Sequence, residues 1–425
     1  MLPKSSYLIF ITILCFFSFS GCNLFKGGVK PVPSETPLPY VTPLLSVTPL
    51  EPSPTATVLF TPSANPAKKI QQTPSVTPVP TQEEDTGLYL INDRTWYGFI
   101  DKTGKVVIKP VFSMATEFSE GLSAVITKDG KKGYIDKTGK MVFEANYESL
   151  SIFSDGVAMV KINFDNYGYI DKTGKSVIDK ISGKPLYKPL SFSEGLATVP
   201  IDGKYGYIDT TGKVVIEPRF SEGGNFSEGL APVKIDDLYG YIDITGQMVI
   251  EAKFINGQNF SEGLAFVQYK GIKGGYIDKS GNMVIEPQFY YGNNFSEGFA
   301  SVMIKMNEYS YIDRTGKFIT EEKFDGAWSF SDGMALVQKG DKYGYILKTG
   351  EIIKLEFISG TSFSEGMAVV RVNDRYGYID KSGNLAIEPC FEDAKPFLRG
   401  LARVKEKSRN GYIHKTGAYV WREEN

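Results

Sequence analysis

Tyr239-Gly240-Tyr241-Ile242-Asp243-Ile244-Thr245-Gly246, followed by Met248-Val249-Ile250-Glu251 and preceded by Phe226-Ser227-Glu228-Gly229-Leu230-Ala231, recurs in ten variants between about Gly87 and Asn425. The central glycine of the motif falls at Gly98, Gly133, Gly168, Gly206, Gly240, Gly275, Gly344, Gly377 and Gly411, and Ser310 stands in its place in the seventh copy. Successive copies are 33 to 38 residues apart. A near-constant period of this size marks a solenoid, a propeller or another repeat array.

Each copy holds three short apolar runs. The first is Gly-Leu-Ala-x-Val, as at Gly366–Val370; the second is Tyr-Gly-Tyr-Ile-Asp; the third is Val-Val-Ile-Glu-Pro, as at Val214–Pro218. They are rich in β-branched and aromatic residues, and all are too short for an ordinary helix. The second and third runs are joined by Asp-Lys-Thr-Gly or a relative of it, as at Asp101–Gly104 and Asp136–Gly139. Asp bonds the backbone ahead of it and Gly supplies positive φ, which is hairpin chemistry. Asp202-Gly203-Lys204 joins the first and second runs in the same manner. The pattern predicts an all-β domain of ten three-stranded antiparallel repeats of ~35 residues, with Phe-Ser-Glu-Gly ending each crossover.

Side chains alternate along a strand. The third position of the second run is aromatic in all ten copies, from Phe99 and Tyr134 to Tyr412, and the fourth is always Ile. Both faces are therefore expected to be packed. The first position changes, with Tyr97, Lys132, Gly274 and Asn410 among its occupants, which places it nearer solvent. The aromatic occupants Tyr97, Tyr167, Tyr205, Tyr239, Tyr309, Tyr343 and Tyr376 are the candidate ligand contacts.

The domain opens on a first run at Gly87-Leu88 and ends on a third run at Tyr419–Trp421, so no split unit is left to close a ring. Ten units also exceed the usual four to eight blades. The expectation is an open, superhelical β-repeat array, with a closed β-propeller-like ring as the alternative.

Residues 1–22 read as a targeting segment: Lys4, an apolar run from Tyr7 to Phe19, then Phe19-Ser20-Gly21-Cys22. These last four residues resemble the lipobox of bacterial lipoproteins, with Phe19 in place of the usual Leu. The resemblance implies cleavage before Cys22, lipidation of its thiol, and anchoring on the outer face of a bacterial membrane. Residues 23–86 carry 13 prolines between Pro31 and Pro80, with Thr-Pro recurring six times. Such a stretch cannot bury a core and reads as an extended stalk. The repeat domain then occupies residues 87–425.

With 47 basic and 49 acidic residues and no basic block, nucleic acid is not an expected partner. Cys15 lies in the targeting segment and Cys22 at the lipid site, leaving Cys390 alone in the repeats, where an incidental small residue is expected. The single histidine, His414, occupies a turn, which argues against a Ser-His-Asp triad or a multi-His metal site. Carboxylates recur in nearly every copy, whereas catalytic acids are singular; they are expected to hold turns rather than serve a glycosidase or Ca²⁺ site. No catalytic residue, metal or cofactor is expected.

The aromatic-Gly pair, the Thr-Gly turn and the Phe-Ser-Glu-Gly-Leu-Ala link together resemble the WG repeats of bacterial proteins. The resemblance spans residue 87 to about 423 and implies an all-β repeat domain with no one ligand or reaction. The chain departs from the pattern at Ser310 and at the turn positions Leu347 and His414. The functional expectation is a lipid-anchored, non-catalytic surface protein that contacts cell-wall glycan or a protein partner. The alternative is a surface-anchored glycan hydrolase.

Overall fold

The computed structural model describes residues 87–424 except 179, 182–183, 187–191 and 272, all within the second of two units, Thr77–Asn425. The expected targeting segment and stalk, with Cys22, lie outside the described residues. Among the described residues, all regular structure is strand.

A representative repeat runs Leu230–Ile235, Leu238–Asp243, Met248–Phe254, as an antiparallel meander in the expected order. The structure adds a short fourth strand on the other side of the first, Glu222–Gly223, supplied by the crossover. The described residues form nine sheets of three to six strands, arranged as the blades of a β-propeller, together with a small hairpin of Lys180–Ile181 and Lys184–Pro185. That hairpin falls in the longest interval between motif copies, the 38 residues from Gly168 to Gly206. The first sheet holds the first two motif copies, because the long strand Val106–Ala115 pairs onward with Ser123–Thr127.

The motif glycine is required by close approach. A β-carbon on Gly240 would lie 2.5 Å from the Ile250 carbonyl oxygen and 2.7 Å from the Ala252 nitrogen, where the third strand bulges across it. The copy carrying Ser310 bears this out. Its sheet contains only Tyr291–Gly292, Phe299–Lys305 and Glu308–Asp313, and its third run is reduced to the isolated bridges Tyr309↔Phe324 and Ile312↔Phe318.

Tyr241 and Ile242 point to opposite faces and are both fully buried, as are their equivalents in most copies. Each core cluster draws on two successive repeats: Leu230, Tyr241, Ile250 and Phe254 pack with Phe260, Ala265, Val267 and Ile277 of the next. The tyrosine hydroxyl donates to a crossover carbonyl, Tyr241 to Gln258 O at 2.7 Å and Tyr276 to Asn293 O at 2.7 Å, each 17 residues ahead. The turn glycine of each repeat lies on the third run of the repeat before it, with the β-carbon position of Gly246 3.0 Å from Ile216 Cγ2.

These contacts overturn the expected open array, because the last repeat makes them with the first. Tyr412 Oη donates to Leu90 O at 2.7 Å, and the Tyr89 hydroxyl donates to Arg399 O. Tyr89, Ile91 and Ile100 share a core cluster with Leu401 and Tyr412. The turn glycine Gly104 lies against the Val420 carbonyl, as Gly246 lies against Ile216. Arg94 Nε pairs with Glu423 Oε1 at 2.7 Å, and the Glu423 side chain is 3% exposed. The array is a closed ring whose ends meet as whole repeats, so closure needs no split unit.

Three outcomes test this description. Gly246→Val places a branched side chain at φ +85° against Ile216, and its melting temperature is expected to fall by several degrees; an unchanged melting curve would refute the turn assignment. Deleting residues 240–274 removes one period from a closed ring and is expected to abolish cooperative unfolding or lower the midpoint sharply, whereas an open array would only shorten. The Thr245 hydroxyl, with the Gln247 and Thr245 N–H groups, holds the Asp243 carboxyl below its usual range. Because the folded value is the depressed one, this stabilisation is present above the unfolded carboxylate pKa, about 3.9, and is lost as pH falls below it. Thermal melts are therefore expected to drop below about pH 4, less steeply in Thr245→Val.

Candidate functional site

The candidate tyrosines are half-buried and tied to the scaffold. Tyr97, Tyr205, Tyr239, Tyr343 and Tyr376 each pair with the phenylalanine that ends the third run, as in Tyr239↔Phe254. They pack against the edges of separate core clusters, and Tyr167 does the same in its own repeat. Tyr309 exchanges both backbone hydrogen bonds with Phe324. Tyr239 is engaged further: its hydroxyl donates to Glu222, and Lys234 lies 5.5 Å from the ring and 3.0 Å from the same carboxylate. Burial and the neighbouring carboxylate push the Tyr239 phenol up to about 12, while its hydroxyl and Lys234 hold Glu222 below its usual range. The partial exposure expected of this position is present. Each tyrosine serves its own repeat, and the described contacts assemble no shared site from them.

The repeated carboxylates divide into two structural roles. Each turn aspartate caps its own hairpin, as Asp243 Oδ1 does by accepting from Thr245 and Gln247. The crossover glutamates reach beyond their own turn. Glu228 and Gly229 both adopt positive φ, +54° and +85°, the geometry of a type I′ turn. That conformation strains Glu228, and its carboxylate contacts explain its presence: it accepts from Gly263 N–H of the next crossover at 2.9 Å and pairs with Lys279 at 3.1 Å. The pattern repeats in Glu262 with Gly298 and Arg314, Glu297 with Gly333 and Lys348, and Glu365 with Gly400 and Lys415. Sequence reasoning assigned these glutamates to local backbone; the structure places the N–H groups that donate to them in the neighbouring repeat. The serine beside each glutamate adds a second tie, as Ser227 Oγ to Phe260 O at 2.7 Å.

Among the described residues, two junctions have no basic residue at the turn position that supplies the cation elsewhere: Ile244 stands there for Glu194 and Thr210 for Asp155. Asp155 is also one carbon shorter than the usual glutamate. Burial, with Glu120 beside it, pushes the Asp155 carboxyl up. It borders a cleft of about 480 Å³ lined also by Asp171, Lys175, Ser176, Thr210 and Thr211. Asp155 occupies the repeated crossover position, as Asp332 also does, and what sets its junction apart in the sequence is Asp for Glu combined with Thr at the turn.

Cys390 is exposed, and its thiol is pushed up by partial burial and by Glu406, which works against a reactive thiolate. His414 occupies its turn by backbone bonding with Ala418 and Gly417. Among the described residues, no group of three His, Cys, Asp or Glu is placed to hold a metal ion.

Among solved structures, the chain is similar to a eukaryotic initiation factor, at 13% identity over 80% of this chain and 96% of that one, with a TM-score of 0.45. It is similar to the computationally designed Ika8 protein, at 13% identity over 61% and 92%, with a TM-score of 0.37. It is also similar to BamB from Moraxella catarrhalis, at 11% identity over 68% and 96%, with a TM-score of 0.32. Such distant likenesses say nothing of this chain's ligand or activity. No curated protein matches. The WG containing repeat is matched at residues 97–131, 133–163, 205–239, 239–271, 275–305, 309–343, 344–376 and 376–409. With more than half of its length so matched, the chain belongs to the family of WG-containing repeat proteins.

Proposed function

We propose that this protein is exported, anchored through a lipid on Cys22 at the outer face of a bacterial membrane, and binds cell-wall glycan or a protein partner without catalysing a reaction. Residues 23–86 serve as the spacer. The observation that carries the non-catalytic reading is the use made of the repeated carboxylates: turn aspartates cap their own hairpins, and crossover glutamates hold the next repeat. What such a ring offers a partner is its surface, presented on a scaffold that each repeat braces for its neighbour. The export reading is supported by the apolar run before Phe19-Ser20-Gly21-Cys22 and by the Pro/Thr-rich composition that follows.

A second reading, hydrolysis of a glycan, is favoured by one observation only, the raised Asp155 carboxyl beside Glu120. Two neighbouring carboxyl groups, one of them raised by burial, are the kind of pair glycoside hydrolysis uses.

Cys22→Ala is expected to leave the precursor unprocessed or to release protein from membranes, because each buried lipid CH₂ contributes about 0.8 kcal/mol to attachment. Unchanged mass and detergent partitioning would refute the anchor. Co-sedimentation of the purified protein with isolated peptidoglycan sacculi is expected, without release of soluble sugar. Release of reducing ends that is lost in Asp155→Asn would establish the hydrolytic reading instead.

A further inference from the structure

We infer that one arc of the ring, centred on Tyr290, Tyr291 and Trp328, is the contact site for a neutral glycan chain. The inference rests on the glycan-binding reading above and names its site.

The arc lies on the crossover links, which the backbone makes equivalent. The residue after each third-run phenylalanine donates its N–H to a carbonyl 13 residues ahead: Ile255 to Gln268 O, Tyr290 to Met303 O, Asp325 to Gln338 O and Ile358 to Arg371 O. Ser221 and Glu392 make the same bond, to Lys234 O and Lys405 O. Four successive links, from the one at Ile255 to the one at Ile358, carry exposed apolar or aromatic side chains, while Ser221 and Glu392 stand on the links to either side. Ile255, Tyr290 and Ile358 are 38%, 49% and 41% exposed, and Tyr291 and Trp328 are 39% exposed.

Trp328 enters from two residues further along its link but covers the same place as Tyr291. The β-carbon position of Gly326, the equivalent of Tyr291, lies 2.9 Å from Trp328 Cη2. Two neighbouring links thus each present an aromatic ring at one position. No repeat-packing rule accounts for them, since Glu222, Asn256, Ser359 and Asp393 occupy that position elsewhere.

The chemistry around the rings selects the occupant. The electron-rich face of Trp or Tyr attracts the weakly positive C–H groups of a pyranose ring, and amide side chains can both donate to and accept from its hydroxyls. Gln338 lies beside Trp328, with Oε1 3.2 Å from the Gly326 β-carbon position, and Asn256 takes the place of Tyr291 one link earlier. The one carboxylate that begins a link within the arc, Asp325, is engaged by Gly340 N–H at 2.6 Å. Rings one repeat apart suit an extended chain rather than a single sugar.

The test measures binding of the full chain to hexamers of β-1,4-linked N-acetylglucosamine by calorimetry and to purified peptidoglycan sacculi by sedimentation. Trp328→Ala, and separately Tyr290→Ala with Tyr291→Ala, are expected to weaken binding about tenfold or more, the effect typical of an aromatic hot spot. Trp328→Phe is expected to retain most of the affinity, and Ser221→Ala all of it. Melting curves identify any variant that fails to fold, in which case the other aromatic variant decides by the same criterion. Equal binding by wild type and the folded aromatic variants would overturn this site and leave the glycan-binding reading standing. No binding of either probe by wild type would overturn both. Loss of a protein partner in the aromatic variants, with no glycan bound by wild type, would overturn the choice of occupant.

Discussion

A buried phenol must find an acceptor, and for most of the described motif tyrosines it lies in the crossover, Tyr412 using Leu90 O of the first strand instead. Tyr134, Tyr207, Tyr241, Tyr276, Tyr345 and Tyr378 are fully buried and donate to Ser151, Gly224, Gln258, Asn293, Thr361 and Lys395 carbonyls. An unmet hydroxyl in that setting costs about 1–3 kcal/mol, so the bond specifies where the crossover runs. Burial and this bond act together, since the ring that fills one repeat also fixes the entry to the next. Phe99 lacks the hydroxyl and relies on ring packing with Phe118 at 4.7 Å.

Around that bond the sequence tolerates little. The motif glycine lets the third strand bulge across the second, and where Ser310 replaces it the third strand is lost as a ladder. The Ser-Glu-Gly corner accepts a strained glutamate because the carboxylate caps the next corner. An isolated surface ion pair contributes little, so the lysines that join these glutamates matter less than the N–H groups they accept from. Strain in one repeat is offset by a contact in its neighbour, which makes the repeat a poor unit of stability and the ring a good one.

The same logic separates scaffold from surface. Groups that recur in every copy are consumed by packing, turns and junctions. Groups that occur once, such as Tyr290, Tyr291 and Trp328, are not required by the repeat and are where function is to be sought. The first-position tyrosines were legible as partly exposed aromatics, but their ties to third-strand phenylalanines and to Glu222 were not, because those partners lie 14 to 17 residues away on other strands. The aromatic arc was illegible for a different reason: its members occupy different offsets in their links, and Trp328 reaches the common position only by folding back over Gly326.

From the sequence alone came the period, the three strands, the hairpin turns, and the fully buried Tyr and Ile on opposite faces. These follow from local alternation and from residues whose conformational demands are their own. Closure belonged to the tertiary structure. The first repeat meets the last through the carbonyls of Leu90, Arg399 and Val420, and a backbone carbonyl is carried by every residue, so nothing in the chain's lettering marks those three. Whether ten copies drift into a superhelix or return on themselves depends on the small rotation accumulated at each junction. That rotation is set by how Tyr241-type rings seat against the next repeat, and only the assembled packing determines it.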